Sequence, residues 1–481
     1  MVETLKRLTT GIEGLDALLK GGLLTGGAYI VQGNPGSGKT IMANQMACHH
    51  VRQGGRVLVG TLLAESHDRL FQYLSGLTFF DPALVGREIQ YLSAFGTLEQ
   101  EGLPAVVKLL RREIGRQQAS LLIIDGLLNA RSRADSSLDT KKFISELQGH
   151  AAFAGCTVLL LTSSRLEEGS PEHTMVDGVI ELSEMPLGSR AVRQVQLRKT
   201  RGSSALSGVH ECEITQDGLQ VYPRLEARYS RPTHLGEATL QRISSGTEAL
   251  DHMIGGGLPE GGVTLVLGPS GIGKTSLGLS FLAAATPDAP GLHFGFYETP
   301  PRLVLKAAAL GFDFAALAEQ GALHWCWQPT TEGLLDQVGE RLLRHVDTHG
   351  IQRVLLDGLG AFGRLANDST RLNEFYRALT SELRARNVSS MATWEMRDLL
   401  GTSFSAPAPD LSGIIDNLVL MRFVEHEARL KRVLSVVKVR DSDFDPAFYE
   451  VLMKAKGLDL RRFFGGGTAI DAGLPVHSAN L

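Results

Sequence analysis

Cysteine is scarce: four residues in 481, at Cys48, Cys156, Cys212 and Cys326, with no CxxC pair among them. That excludes a disulfide framework and a cysteine zinc site, and it fits a reducing compartment, so a cytoplasmic protein is expected. No run of 18 apolar residues occurs, which leaves no candidate membrane span. The start, Met1-Val2-Glu3-Thr4-Leu5-Lys6-Arg7, has no apolar core of a secretion signal. A basic excess is also missing: 48 Lys+Arg stand against 52 Asp+Glu, for a net charge of −4, which argues against a dedicated nucleic-acid binder. Disorder throughout is excluded by 43% hydrophobic and 21% charged residues. The length predicts two or three domains, each able to bury a full core.

Glycine is abundant, at 54 residues, and its clusters mark an internal repeat. One unit opens Gly11-Ile12-Glu13-Gly14-Leu15-Asp16 and then Gly21-Gly22; a second opens Gly246-Thr247-Glu248-Ala249-Leu250-Asp251 and then Gly256-Gly257. Asp16 and Asp251 are 235 residues apart, as are Lys39 and Lys274. Asp125 and Asp357 are 232 apart, Glu65 and Glu298 233, Lys199 and Lys438 239. An offset this steady means two copies of one fold, each too long to be a solenoid unit. We expect a first domain over 1–225, a linker over 226–242 with scattered charge and two prolines nearby, a second domain over 243–464, and a polar tail over 465–481.

In each copy short apolar runs alternate with helix-length segments. Ala28–Gln32, Arg56–Leu62, Ser120–Asp125 and Cys156–Thr162 are matched by Val263–Leu267, Leu292–Tyr297, Arg353–Asp357 and Ser390–Trp394. This predicts α/β domains, each a mostly parallel sheet covered by helices on both faces. Arg193–Lys199 and Arg432–Lys438 alternate apolar and polar residues and suit strands at a sheet edge.

The chemistry sits at two phosphate-loop motifs. Gly33-Asn34-Pro35-Gly36-Ser37-Gly38-Lys39-Thr40 and Gly268-Pro269-Ser270-Gly271-Ile272-Gly273-Lys274-Thr275 both fit G-x-x-x-x-G-K-[ST], each after a strand and before a helix. The glycines let backbone N–H groups wrap a phosphate at the positive end of the following helix. Lys39 and Lys274 reach the β/γ-phosphates, and Thr40 and Thr275 are candidate Mg2+ ligands. Asp125 and Asp357 each end an apolar strand and complete the expected metal sites. Glu65 and Glu298 follow the second strand of each copy in a shared E-x-x-x-R-L text, where a carboxylate can orient or deprotonate an attacking water. Each copy closes on a K-x-R strand, Lys199-Thr200-Arg201 and Lys438-Val439-Arg440. These cations either clamp a γ-phosphate or simply end a solvated strand.

Taken together, the paired G-[IT]-E-[GA]-L-D openings, the two loops, the terminal K-x-R strands and the tandem layout make the chain resemble the KaiC family of RecA-like double-domain ATPases, from about Leu5 to about Phe464. The resemblance implies two tandem RecA-like P-loop domains and ATP with Mg2+ at subunit interfaces of a hexameric double ring. It also implies Lys199, Arg201, Lys438 and Arg440 acting on a neighbour's ATP, and a KaiB-like or other signalling partner. Two departures stand out. The family's consecutive glutamates are here Ala64-Glu65 and Tyr297-Glu298, so the first is missing in both copies. The autophosphorylated stretch corresponds to Asp410-Leu411-Ser412-Gly413-Ile414-Ile415-Asp416, where Ser412 is an acceptor candidate and Gly413 cannot be one. A two-site phosphorylation cycle is therefore unsupported.

Two other readings compete. A DNA-acting RecA-class motor needs basic, aromatic central loops, but the stretch Ser164–His173 is acidic and Arg397–Gly413 is barely basic. A nucleotide-gated scaffold with negligible turnover would explain the missing glutamates.

Overall fold

The computed structural model describes residues 6–64, 67–127, 137–163, 170–231, 233, 241–329, 333–366, 368–396, 413–440, 442–454 and 457–464. The chain divides into two compact units, residues 1–228 and 229–481. Each contains one nine-stranded sheet.

In the first unit the strands are β1 (Ala28–Gly33), β2 (Val57–Thr61), β3 (Ile89–Ser93), β4 (Leu121–Asp125), β5 (Thr157–Thr162), β6 (Gly178–Leu187), β7 (Arg190–Thr200), β8 (Val209–Thr215) and β9 (Gly218–Tyr222). Their spatial order is β9-β8-β7-β6-β1-β5-β4-β2-β3. The six from β6 to β3 are parallel, and β7, β8 and β9 add antiparallel. Every residue of β1, β2 and β5 is buried, as expected of strands covered on both faces. Alternation then builds two cores. Val31, Ile123 and Leu159 pack on one face with Met42 and Met46, while Ile30, Leu122, Ile124 and Leu160 pack on the other with Val106, Leu110 and Phe143.

The second unit repeats this plan with β10 (Val263–Gly268), β11 (Gly291–Gly295), β12 (Leu323–Trp327), β13 (Arg353–Asp357), β14 (Ser389–Glu395), β15 (Asn417–His426), β16 (Arg429–Val439), β17 (Tyr449–Lys454) and β18 (Gly457–Arg462). The order β18-β17-β16-β15-β10-β14-β13-β11-β12 is that of the first unit. Both sheets are mostly parallel α/β sheets of tandem RecA-like domains, as the alternating runs predicted. On one face Val266, Leu355, Met391 and Val419 pack with Leu277, Phe281 and Leu303. Elsewhere in this unit the rings of Phe294, Phe296, Phe362, Phe375 and Tyr376 contact one another.

One expectation is corrected. The K-x-R strands β7 and β16 are not at a sheet edge: two further antiparallel strands lie outside each of them. Those outer pairs, β8–β9 and β17–β18, mix polar and apolar residues and are joined by short turns, so they carry no long apolar run.

The repeated openings have a structural role. Gly11 and Gly246 adopt φ of +73° and +77°, and a Cβ on them would meet His49 at 2.3 Å and the Ser280 carbonyl at 1.8 Å. Asp16 and Asp251 each accept a backbone N–H, from Thr10 and Ser245, both at 2.8 Å. The motif seats each domain's first turn against the helix that follows its phosphate loop.

Candidate nucleotide sites

Each phosphate loop joins the central strand to a helix: β1 to α1 (Lys39–Arg52) and β10 to α2 (Lys274–Ala283). Gly38 and Gly273 precede the helices in the left-handed region, at φ of +101° and +114°, which a side chain would strain. Neither helix has an acidic residue of its own in its first turn, and its positive dipole end faces the loop. Lys39 Nζ donates to the Gly33 and Asn34 carbonyls at 2.8 and 2.9 Å, and Lys274 Nζ to those of Gly268 and Pro269 at 2.8 and 2.7 Å. Burial lowers both ammonium groups from their ordinary pKa. Asp125 opposes this at Lys39, and Glu395 with Asp357 opposes it at Lys274. A bound anion would offset the same burial cost.

Asp125 and Asp357 end β4 and β13 at the edge of the sheet where the loops lie. Thr40 Oγ1 donates to Asp125 Oδ2 at 3.2 Å, and Thr275 Oγ1 to Asp357 Oδ1 at 3.3 Å. A hydroxyl and a carboxylate side by side at a phosphate loop are the hard oxygen donors that Mg2+ takes, the rest coming from phosphate and water. Among the described residues no three His, Cys, Asp or Glu side chains form a metal cage.

The second site carries further support that the motifs did not reveal. Thr393 Oγ1 donates to Asp357 Oδ1 at 2.7 Å, and His293 Nε2 lies 3.7 Å from Oδ2. Burial pushes the Asp357 carboxyl upward, but His293, Thr393 and Thr275 outweigh it and hold it below its ordinary value. Gly295 makes this possible: a Cβ there would lie 2.2 Å from the His293 ring. In the first site His67, on a helix spanning His67–Leu74, bonds Thr61 Oγ1 at 2.9 Å, and Thr61 pairs with Asp125 across β2 and β4. Neither histidine follows a motif spacing: strand register brings in His293, and the helix after β2 brings in His67.

Around the loops lie clefts of about 440 Å3 in the first unit and 1290 Å3 in the second. The second contains Lys274, Thr275, Asp357 and Glu298, so the carboxylate expected to face water does share the site. Glu65, its counterpart, lies outside the described residues, as does Ser412. So do 164–169 and 397–412, most of the two stretches weighed as DNA-binding loops.

The K-x-R residues are elsewhere. Lys199 pairs with Val179 and Gly33 with Leu182, so Lys199 sits about three residues, roughly 10 Å, toward the opposite end of the parallel strands from its own loop. Lys199 Nζ donates to the His173 and Thr174 carbonyls at 2.6 and 3.2 Å, and Arg201 Nη2 to that of Thr174 at 2.9 Å. In the second unit Lys438 Nζ donates to the Ile415 carbonyl at 2.8 Å, Arg440 Nη2 to that of Gly413 at 3.1 Å, and Arg440 pairs with Asp416 at 2.9 Å. A bulge just before each motif, between Val179 and Ile180 in one pairing and Leu418 and Val419 in the other, re-aims the strand end in both copies. Both pairs are thus held by the segment entering β6 or β15 and not by their own loops.

A family model of the KaiC ATPase matches residues 8–226 and again residues 243–461. The circadian clock oscillator protein KaiC of Acaryochloris marina is 27% identical over 495 residues, covering 98% of this chain and 91% of that protein. KaiC 1 of Synechocystis sp. is 26% identical, covering 98% and 92%, and KaiC of Synechococcus elongatus is 25% identical, covering 99% and 93%. With two matching domains that account for most of its length, this chain belongs to the KaiC ATPase family.

Proposed function

We propose that the protein is a Mg-dependent ATPase that binds one ATP at each phosphate loop, at the subunit interfaces of a ring oligomer, a hexamer by family resemblance. The observation that carries this reading is the repeated set of Lys on the loop, Thr at the helix start and Asp at the facing strand end, with matching distances in both domains. Thr40 with Asp125 and Thr275 with Asp357 would hold Mg2+, which when bound neutralises charge on the β- and γ-phosphates. The loop N–H groups and helix ends hold the phosphates, and Glu65 and Glu298 orient the attacking water.

The trans role of Lys199, Arg201, Lys438 and Arg440 is supported by their placement. They cannot serve their own loops from the opposite end of the strands, yet Arg201 and Arg440 are partly exposed and fan out beside Asp177 and Asp416, with which they pair. A γ-phosphate presented by an adjoining subunit suits that fan. Arg440 also holds the carbonyl of Gly413, the residue that follows Ser412 in the sequence. Serine autophosphorylation at Ser412 is accordingly part of the proposal. A KaiB-like partner and a cytoplasmic location complete it; among the described residues no helix is long and apolar enough to cross a membrane.

The test is steady-state phosphate release with Mg2+ and with EDTA, for the unaltered chain and for Glu65→Gln with Glu298→Gln. We expect Mg-dependent turnover that falls at least ~100-fold in the double variant. Nucleotide binding with no turnover in the unaltered chain would favour the scaffold reading instead.

A further inference from the structure

In the second cleft the water-facing carboxylate is held by a lysine of the helix that follows it. In the second domain Glu298 precedes α3 (Pro300–Ala309), and its Oε1 accepts a hydrogen bond from Lys306 Nζ on that helix. Its Oε2 is shut away from solvent with no hydrogen-bond partner, and Arg302 Nε stands off at 3.9 Å. Oε1 accepts from Lys306 and Oε2 is screened, so a water at Glu298 must share Oε1 with the lysine. An unbonded, buried carboxylate oxygen is costly, and it persists only where surrounding groups fix the side chain.

Lys306 lines the same cleft as Gly271, Lys274 and Thr275. A triphosphate seated there competes with Glu298 for its ammonium. The terminal phosphate carries about two charges and three acceptor oxygens against one charge on the carboxylate. A diphosphate ends where the loop and Lys274 already cradle it, and it competes less. The first domain has no lysine at the matching position. At the offset that matches Arg69 to Arg302, the counterpart of Lys306 is Tyr73, whose hydroxyl accepts from Arg69 Nε at 2.8 Å. A phenol carries no positive charge to trade between a carboxylate and a phosphate.

We propose that Lys306 is a positioning residue peculiar to the second domain: Glu298 and the terminal phosphate of ATP share its ammonium, and Glu298 orients water only for the fraction of time that the phosphate holds the lysine. The inference rests on the reading of Glu298 as the water-orienting group. It makes the second domain slow to turn over and selective for tri- over diphosphate, and the first domain, with Tyr73 at the matching position, has no lysine to do this.

The test uses the full chain with Lys39→Ala, which silences the first loop, and compares Lys306, Lys306→Met, Lys306→Gln and Lys306→Arg. Displacement of a fluorescent ADP analogue by ATP and by ADP gives the affinity ratio, and phosphate release gives kcat and KM. The neutral variants should lower the preference for ATP over ADP by about tenfold and raise kcat at saturating ATP by several-fold, while Lys306→Arg stays within about twofold on both. A purely structural lysine would not move the ATP-to-ADP ratio. An unchanged ratio in both neutral variants, or an unchanged or reduced kcat in both, overturns the proposal. Glu298→Gln separates the two ideas: if it leaves kcat unaltered, Glu298 is not the water-orienting group, while the affinity ratio still reports on the Lys306–phosphate contact.

Discussion

Thr275 donates its hydroxyl to Asp357 Oδ1 at 3.3 Å, and Thr40 does the same to Asp125 Oδ2 at 3.2 Å. Two domains that differ in most side chains keep this one oxygen pair. Thr275→Ala and Asp357→Asn should each weaken Mg-dependent ATP binding in the second domain by about tenfold or more, with much less effect in EDTA. Calorimetric titration with and without Mg2+ checks this; equal losses in both conditions would mean the pair does not serve a metal.

Each domain carries a complete loop, so the loops should fail one at a time. Lys39→Ala should remove one bound nucleotide per chain and leave the second, and Lys274→Ala should do the converse. Stoichiometry by equilibrium dialysis reads this directly. Loss of both nucleotides from either single variant, in a protein that remains folded, contradicts independent sites.

Arg201 reaches the Thr174 carbonyl and not its own loop. Arg201→Ala should therefore lower turnover at the first-domain sites of assembled rings by roughly 100-fold while leaving Lys39 able to bind ATP. Mixing Arg201→Ala chains with Lys39→Ala chains should restore part of the activity, since some interfaces then join an intact loop to an intact arginine. If the mixture has only the summed activity of its parts, the arginine does not work across an interface.

In the second domain the rings of His324 and His349 stack at 4.1 Å, and His345 lies 5.8 Å from His349. Burial chiefly, with His349 beside them and Arg341 facing His345, holds His324 and His345 below the ordinary value of 6.5. The folded state thus favours their neutral forms. Their contribution to stability is complete above about pH 6.5 and is lost as pH falls through the lower folded values. The urea midpoint of the second transition should drop on acidification from pH 7.5, and His324→Gln with His345→Gln should flatten that drop. An equally steep drop in the double variant assigns it to other groups.

Much of this was legible from the residues because fully buried strands leave continuous apolar runs: Ala28–Gly33 and Val263–Gly268 carry the loops, and Leu121–Asp125 and Arg353–Asp357 carry the carboxylates. The steady offset between copies did the rest. What was not legible depends on register and packing. His293 and Thr393 reach Asp357 from neighbouring strands, with no spacing rule connecting them. The Lys306–Glu298 contact needs the helix that carries it to be in place. The strands outside β7 and β16 are short, mixed hairpins whose polar faces gave no period to read, which is why the K-x-R motifs were expected at an edge.

Each chain should hold two nucleotides, with the far end of each met by cations from an adjoining chain. Native mass spectrometry of the purified protein in Mg-ATP measures assembly and occupancy together. Rings are expected, six chains by family resemblance, carrying two adenine nucleotides per chain. A single chain free of nucleotide under the same conditions would contradict it.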